Sequence, residues 1–247
     1  MEIKPNNIYL GDAYELIKDI PDKSIDLIIT DPPYEIEGIS NNGKLRGIFA
    51  KDGRSATYEK ELYELSKGID LSILDDYVRV MKKINIYVWC NKEQIYDYLT
   101  YFVKERKCNW EMLIWAKDNP PPFTCGHYLK DKEYCLYFWE KGVKVSPTWA
   151  TGKTVYISKL NVNDKHQYKH PTIKPLDIIE NLIKNSTGGG AIILDTFLGS
   201  GTTAVAAKRL NRQYIGFEIN EKYYKIACDR LQGFNQKGQG NLFDIDL

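Results

Sequence analysis

What this chain lacks narrows its chemistry before any motif is read. It has no cysteine pair at C-x-x-C spacing, and its five cysteines fall irregularly at 90, 108, 125, 135 and 228. That argues against a zinc site and a disulfide framework, and for thiols kept in a reducing compartment. His127 and His166 have no partner at metal-ligand spacing and read as surface or structural groups. No apolar run is long enough to cross a bilayer, and the opening MEIKPNNIYLGD lacks a signal-peptide core. A soluble cytoplasmic protein with no membrane association is expected. A charge excess is missing as well: 34 basic residues face 33 acidic ones, so net charge announces no nucleic-acid partner. Neither internal repeats nor low-complexity linkers occur. The 247 residues allow one large domain or two small ones.

Aromatics, by contrast, are plentiful, with 18 Tyr and 5 Trp. They suit a packed core, base stacking, or both. The chain alternates between strand and helix patterns, an α/β signal. Strands are expected near 8–10, 25–30, 85–90, 111–116, 133–139, 191–195 and 214–218. Helices are expected near 13–20, 60–81, 93–105, 175–186, 202–210 and 221–231. The segment from about 35 to 58 is rich in Gly, Asn, Lys and Ser and reads as a mobile loop. From Lys141 to Lys174 there are seven lysines against one acid, Asp164. From about 233 onward the chain reads as a loose tail.

One unit, AIILDTFLGSGTTAVAAKRLNRQYIGFEIN, runs strand, glycine loop, helix, strand, acid. Gly199 and Gly201 allow a tight turn and close approach of a ligand. The helix opening near Thr202 aims free N–H groups at that ligand. Glu218 ends the next strand, where an acid can accept from both hydroxyls of a ribose. Gly199-x-Gly201-x-x-Ala204 also fits a dinucleotide fingerprint, so a nicotinamide enzyme is a rival. Asp195 favours a sulfonium amino acid instead, because a carboxylate there suits an ammonium better than a pyrophosphate.

A second feature stands in SIDLIITDPPYEIEG, residues 24–38. An apolar strand runs into Asp31-Pro32-Pro33-Tyr34. Ligands of doubly wound sheets bind beyond the carboxyl ends of strands. The prolines stiffen the corner and can hold a carbonyl outward and unpaired. A carboxylate and a fixed carbonyl match the two hydrogens of an exocyclic NH2, and Tyr34 offers a ring to stack on a base. Such a corner can stabilise positive charge developing on that nitrogen. The plain alternative is a strand-ending turn.

These residues resemble the amino-group DNA methyltransferases that use S-adenosyl-L-methionine. GDAYELIKDIPDKSIDLIITDPPY, HPTIKPLDIIENLI and LDTFLGSGTTAVAAKRLNRQYIGFEINEKYYKIACDRL carry the likeness across most of the chain. The order, with the Asp-Pro-Pro-Tyr motif first and the glycine loop last, is similar to the permuted β group. The resemblance implies one Rossmann-like domain over residues 1–247. Its sheet would be mostly parallel and seven-stranded with one antiparallel strand, and helices on both faces. It puts Asp31, Pro32, Pro33 and Tyr34 at the target base. Asp195, Phe197, Gly199, Ser200, Gly201 and Thr202 would surround the methionine part of the cofactor. Glu218 would take the ribose, and Asp12 would lie near the adenine. His170, Thr172 and Lys174 would close over the cofactor. Thr196 departs from the family's usual proline, which implies a slightly looser loop.

Asn119-Pro120-Pro121-Pro122-Phe123 reads as a loop beside the target pocket, since an extra proline displaces the ring. The target base must be flipped out of duplex DNA, and flipping needs phosphate anchors. The lysine-rich stretch, about 141–170, with Trp149, Tyr156 and Tyr168, is the main DNA-facing candidate. Lys44, Arg46, Lys51 and Arg54 form the second. Asp as the first motif residue leans to adenine N6 over cytosine N4. The rivals are a cytosine-N4 enzyme, an RNA methyltransferase and an inactive DNA-binding relative. The short segment between motifs implies a short recognition site. The family often forms homodimers, and its members are bacterial, archaeal or phage-encoded. QGNLF, residues 239–243, resembles peptides that dock on sliding clamps; the alternative is a tail packed on its own domain.

Overall fold

The computed structural model describes residues 2–34, 68–120, 128–160 and 173–237. The loop near 35–58, the Pro121–Phe123 part of the second proline motif, His170, Thr172 and the clamp-like peptide lie outside the described residues.

Among the described residues eight strands form one sheet: β1 (Asn7–Leu10), β2 (Leu27–Thr30), β3 (Asn85–Cys90), β4 (Asn109–Lys117), β5 (Lys132–Trp139), β6 (Val155–Ser158), β7 (Ile192–Asp195) and β8 (Gln213–Glu218). Their order across the sheet is β1-β8-β7-β2-β3-β5-β4-β6. Only β5 runs against its neighbours, pairing antiparallel with β3 and β4. The mostly parallel sheet with one reversed strand therefore stands as expected, with one strand more. The extra strand, β6, pairs in parallel with β4 at the sheet's edge. It lies inside the lysine-rich stretch.

Among the described residues the helices are α1 (Ala13–Leu16), α2 (Ile73–Val80), α3 (Ile95–Leu99), α4 (Leu176–Ser186), α5 (Thr202–Arg209) and α6 (Glu221–Lys237). A 3-10 turn (Ile17–Asp19) continues α1, and a π-helical stretch (Thr100–Glu105) continues α3. α6 passes through Gly233 to Lys237, so the expected tail begins later than 233.

The central strands β2 and β3 are buried throughout and mostly apolar, because both faces are covered. Along β3, Ile86, Val88 and Cys90 join one core with α1, α2 and the α3 region. Tyr87 and Trp89 join the other, with Ile178, Ile179, Leu182 and Ile183 of α4 and the alanines of α5. Strand alternation thus feeds two cores from one sequence run. The carboxyl ends of β1, β2, β3, β7 and β8 meet along one edge of the sheet. Because β5 is reversed, its beginning reaches that same edge: Tyr134 pairs with Cys90, and Glu133 with Trp115 near the end of β4.

Candidate active site

A cavity of about 650 Å³ opens along this carboxyl edge, a size within the usual range for small-molecule sites. Its walls include Asp12 from the start of α1, Asp31 and Pro33 from the end of β2, and Asp195 through Ser200 after β7. Glu218 from β8, Trp89 and Lys174 complete the ring. The proline corner and the glycine loop therefore face one space.

The cofactor-side acids are held by backbone. Glu218, buried, accepts from Gly199 N at 2.7 Å and Asn220 N at 2.8 Å. Burial pushes its pKa up and these amides pull it back. Asp195 accepts from Phe197 N at 3.1 Å. Burial pushes its carboxyl up to about 7, against the pull of the Thr203 hydroxyl and the Phe197 amide. An edge with two desolvated acids suits a ligand that brings a cation and hydroxyl donors.

The glycine loop differs in detail from the sequence expectation. Gly201 is not among the residues lining the cavity. Its φ is +85°, and a Cβ there would come within 2.9 Å of the Ala227 Cβ. The residue must be glycine so that α6 can pack against the start of α5. Ser200 and Thr202 do line the cavity, yet Arg230 of α6 donates to both hydroxyls, at 3.0 and 3.1 Å. Asp12 lines the cavity while its carboxylate caps α1 through Tyr14 N at 2.9 Å. Thr196 does not loosen its loop. It is 2% exposed, its hydroxyl lies 2.6 Å from the Tyr77 hydroxyl and 3.2 Å from that of Thr30. A proline could make neither bond. The threonine ties the β7 loop to β2, one residue before Asp31.

At the proline corner, the Pro33 carbonyl is not unpaired: the Gln94 side chain donates to it at 3.2 Å. The Tyr34 hydroxyl donates to Asp31 Oδ1 at 2.9 Å. Lys174 donates to Asp31 Oδ2. Lys174, expected to close over the cofactor, lines the cavity, and its ammonium engages the corner. Glu133 Oε2 lies 3.1 Å from the same ammonium, and Glu133 Oε1 lies 2.6 Å from Lys117 Nζ. The Lys174 side chain is only 7% exposed. Its ammonium sits 5.6 Å over the Tyr34 ring and 5.2 Å over the Trp89 ring, within cation–π range.

Burial alone would raise Glu133, but Lys174 and Lys117 bring it down to about 2. Asp31 has one lysine; burial raises it, Lys174 opposes, and the neighbouring Glu133 charge adds to the rise. Removing one partner of such a buried pair costs roughly 3–5 kcal/mol. Glu133 and Lys117 escaped the sequence reading. They meet only through the register of two antiparallel strands.

The described lysines of the lysine-rich stretch do not share one face. Lys174 is buried at the corner, whereas Lys144 lines a separate hollow with Lys82, Lys83 and Lys184 at the opposite edge of the sheet. Lys159, exposed, follows the end of β6. Trp149 is 91% exposed, with the Lys153 ammonium 5.7 Å over its ring. Tyr156 is half-buried and its hydroxyl accepts from Asn181 at 2.8 Å. Among the described residues no cluster of His, Cys, Asp and Glu could hold a metal ion, and no helix is long and apolar enough to cross a membrane.

Fold and cavity together define the class of Rossmann-like methyltransferases. Comparison with known proteins sharpens that class: the DNA methylase family model matches residues 25–229, and the chain belongs to this family. The Type II methyltransferase M2.DpnII of Streptococcus pneumoniae is 29% identical over 247 residues, covering 92% of this chain and 89% of its own. M2.LlaDCHI of Lactococcus lactis subsp. cremoris is 30% identical over 240 residues, covering 90% and 87%. The crystal structure of the M1.HpyAVI–SAM complex superposes with a TM-score of 0.66 at 28% identity, covering 91% of this chain and 98% of that one.

Proposed function

We propose that this chain, acting as one catalytic domain, methylates the N6 amino group of a flipped-out adenine within a short sequence of double-stranded DNA. S-adenosyl-L-methionine is the donor. The observation that carries the reading is the shared cavity: Asp31 and Pro33 line the same space as Gly199, Asp195 and Glu218. Membership of the DNA methylase family and a structural relative solved with SAM support it.

Glu218, already braced by two amides, keeps lone pairs for the ribose hydroxyls. Asp195 gives its carboxylate to the ammonium of the methionine part. When bound, the donor would supply a methyl group on a sulfonium: the N–CH3 bond would form as the S–CH3 bond breaks, the sulfur keeping the electron pair as a thioether, and the surplus proton of the nitrogen would pass to water. Asp31 accepts one hydrogen of the target amino group. Gln94 already donates to the Pro33 carbonyl, so the second acceptor is proposed to be the backbone carbonyl of Pro32. Two fixed acceptors stabilise positive charge growing on that nitrogen, and alignment does much of the rest. Tyr34 stacks on the extruded base. Lys159 and the exposed Trp149 are proposed for DNA contact within the 141–170 segment.

The test is mass spectrometry of nucleosides from DNA incubated with protein and donor. N6-methyladenine supports the reading, and N4-methylcytosine would move the target to cytosine. Methylated RNA alone, or no product with retained DNA binding, would overturn it. Asp31→Ala should lower turnover by about 10³-fold or more with donor binding kept. Near-normal turnover would remove Asp31 from the chemistry.

A further inference from the structure

We propose that Lys174 and Glu133 are positioning residues that set the charge state and orientation of Asp31, with Lys117 holding Glu133 in place. The proposal rests on the catalytic reading of Asp31. It reassigns Lys174 from the cofactor to the target corner.

The geometry has three parts. First, the Lys174 ammonium holds Asp31 Oδ2, so the carboxylate cannot turn about its last bond. Oδ1 is left toward Tyr34, whose hydroxyl occupies it at 2.9 Å. The target amino group meets Asp31 at Oδ1, sharing or displacing that phenol. Second, Lys174 is itself aimed by Glu133 Oε2 at 3.1 Å and by the aromatic faces of Tyr34 and Trp89. Third, Glu133 is fixed at its other oxygen by Lys117 at 2.6 Å. Lysine and acid alternate from Lys117 through Glu133 and Lys174 to Asp31, so the four charges cancel.

The chain of charges has a chemical purpose. A carboxyl removed from water tends to take up a proton. A protonated Asp31 would offer a hydrogen where the amino group needs an acceptor. Lys174 keeps the carboxylate ionised, while Glu133 draws part of the lysine's field away and leaves Asp31 free to respond to charge on the substrate nitrogen. The groups facing Asp31 are Lys174, Glu133 and Tyr34, with Cys90, Cys135 and Asp195 nearby.

The two neighbours therefore act on Asp31 with opposite signs. Lys174→Met should move the acid limb of the kcat profile to higher pH, by about 1 to 3 pH units, so that activity lost near neutrality returns at alkaline pH. Glu133→Gln removes the negative charge while keeping one amide oxygen for one of the two lysines, and should move the same limb to lower pH. In an Asp31→Asn background neither substitution should shift the limb, and Lys174→Met should add little further loss. Donor affinity should be nearly unchanged in all of them. A limb that stays put in Glu133→Gln, or moves the same way in both variants, overturns the proposal even if Lys174→Met fails to fold. Losses that simply multiply in the Asp31→Asn background also overturn it. If Asp31→Ala is inactive while these limbs do not move, the positioning role alone falls. If Asp31→Ala remains active, the catalytic reading falls first.

Discussion

Among the acids along the carboxyl edge of the sheet, four are held in two different ways. On the β7–β8 side, Asp195 and Glu218 receive backbone amides and no lysine. On the β2–β5 side, Asp31 and Glu133 receive lysine ammoniums. Amides come with the loop that presents them, so that side was readable from a glycine pattern. Ammoniums arrive on long side chains from distant segments, and that side was only half readable. The difference also separates tasks. Acids left without a cation are open to a ligand's cation or hydroxyl donors; acids supplied with one have their burial opposed from within the fold.

The contrast can be broken most forcefully at Glu218. Glu218→Ala should weaken donor affinity about 10- to 100-fold, the weight of one or two hydrogen bonds to a charged group, as read by calorimetry. An unchanged dissociation constant would mean that the ribose lies elsewhere. A smaller effect is expected at Asp195, whose carboxyl stands at about 7 rather than the ordinary 3.8. Between those values the fold keeps a proton that the unfolded chain has lost. Stability from this group therefore falls as pH rises from about 4 to about 7, and the penalty is fully present above that. Asp195→Asn should raise the unliganded Tm by roughly 2–4 °C at pH 8, leave it unchanged near pH 4, and weaken donor binding. A Tm gain at pH 4 equal to that at pH 8 would contradict desolvation of the carboxylate as the cause. Least in size is Thr196→Val, which cuts the hydroxyl link between the two sides. It should cost about 1 kcal/mol and lower Tm by roughly 2–4 °C in thermal melts. No loss would show that Tyr77 and Thr30 find other partners.

How far the sequence carried can be judged at particular residues. β3 and the β7–α5–β8 unit were legible because apolar runs, glycines and a strand-ending acid are local signals. β6 was not: Val155 to Ser158 form a strand only because β4 lies beside them, and the lysines around them mask the pattern. The role of Gly201 was half legible. Its glycine requirement was visible, but its cause, Ala227, lies on a helix 26 residues on. Thr196 was read as a missing proline, when its hydroxyl is what the structure uses. Glu133 gave no signal at all, since its importance depends on strand direction.

That direction has an architectural consequence. In an all-parallel sheet, every residue at the reactive rim is the last of its strand, and the chain leaves from there into a crossover. A reversed strand puts an arriving residue at the rim instead. Glu133 is seated by its ladder partner Trp115, so its place does not depend on the length of the connection before it. The connection that leads into β5 can thus vary while the charge at the rim keeps its place.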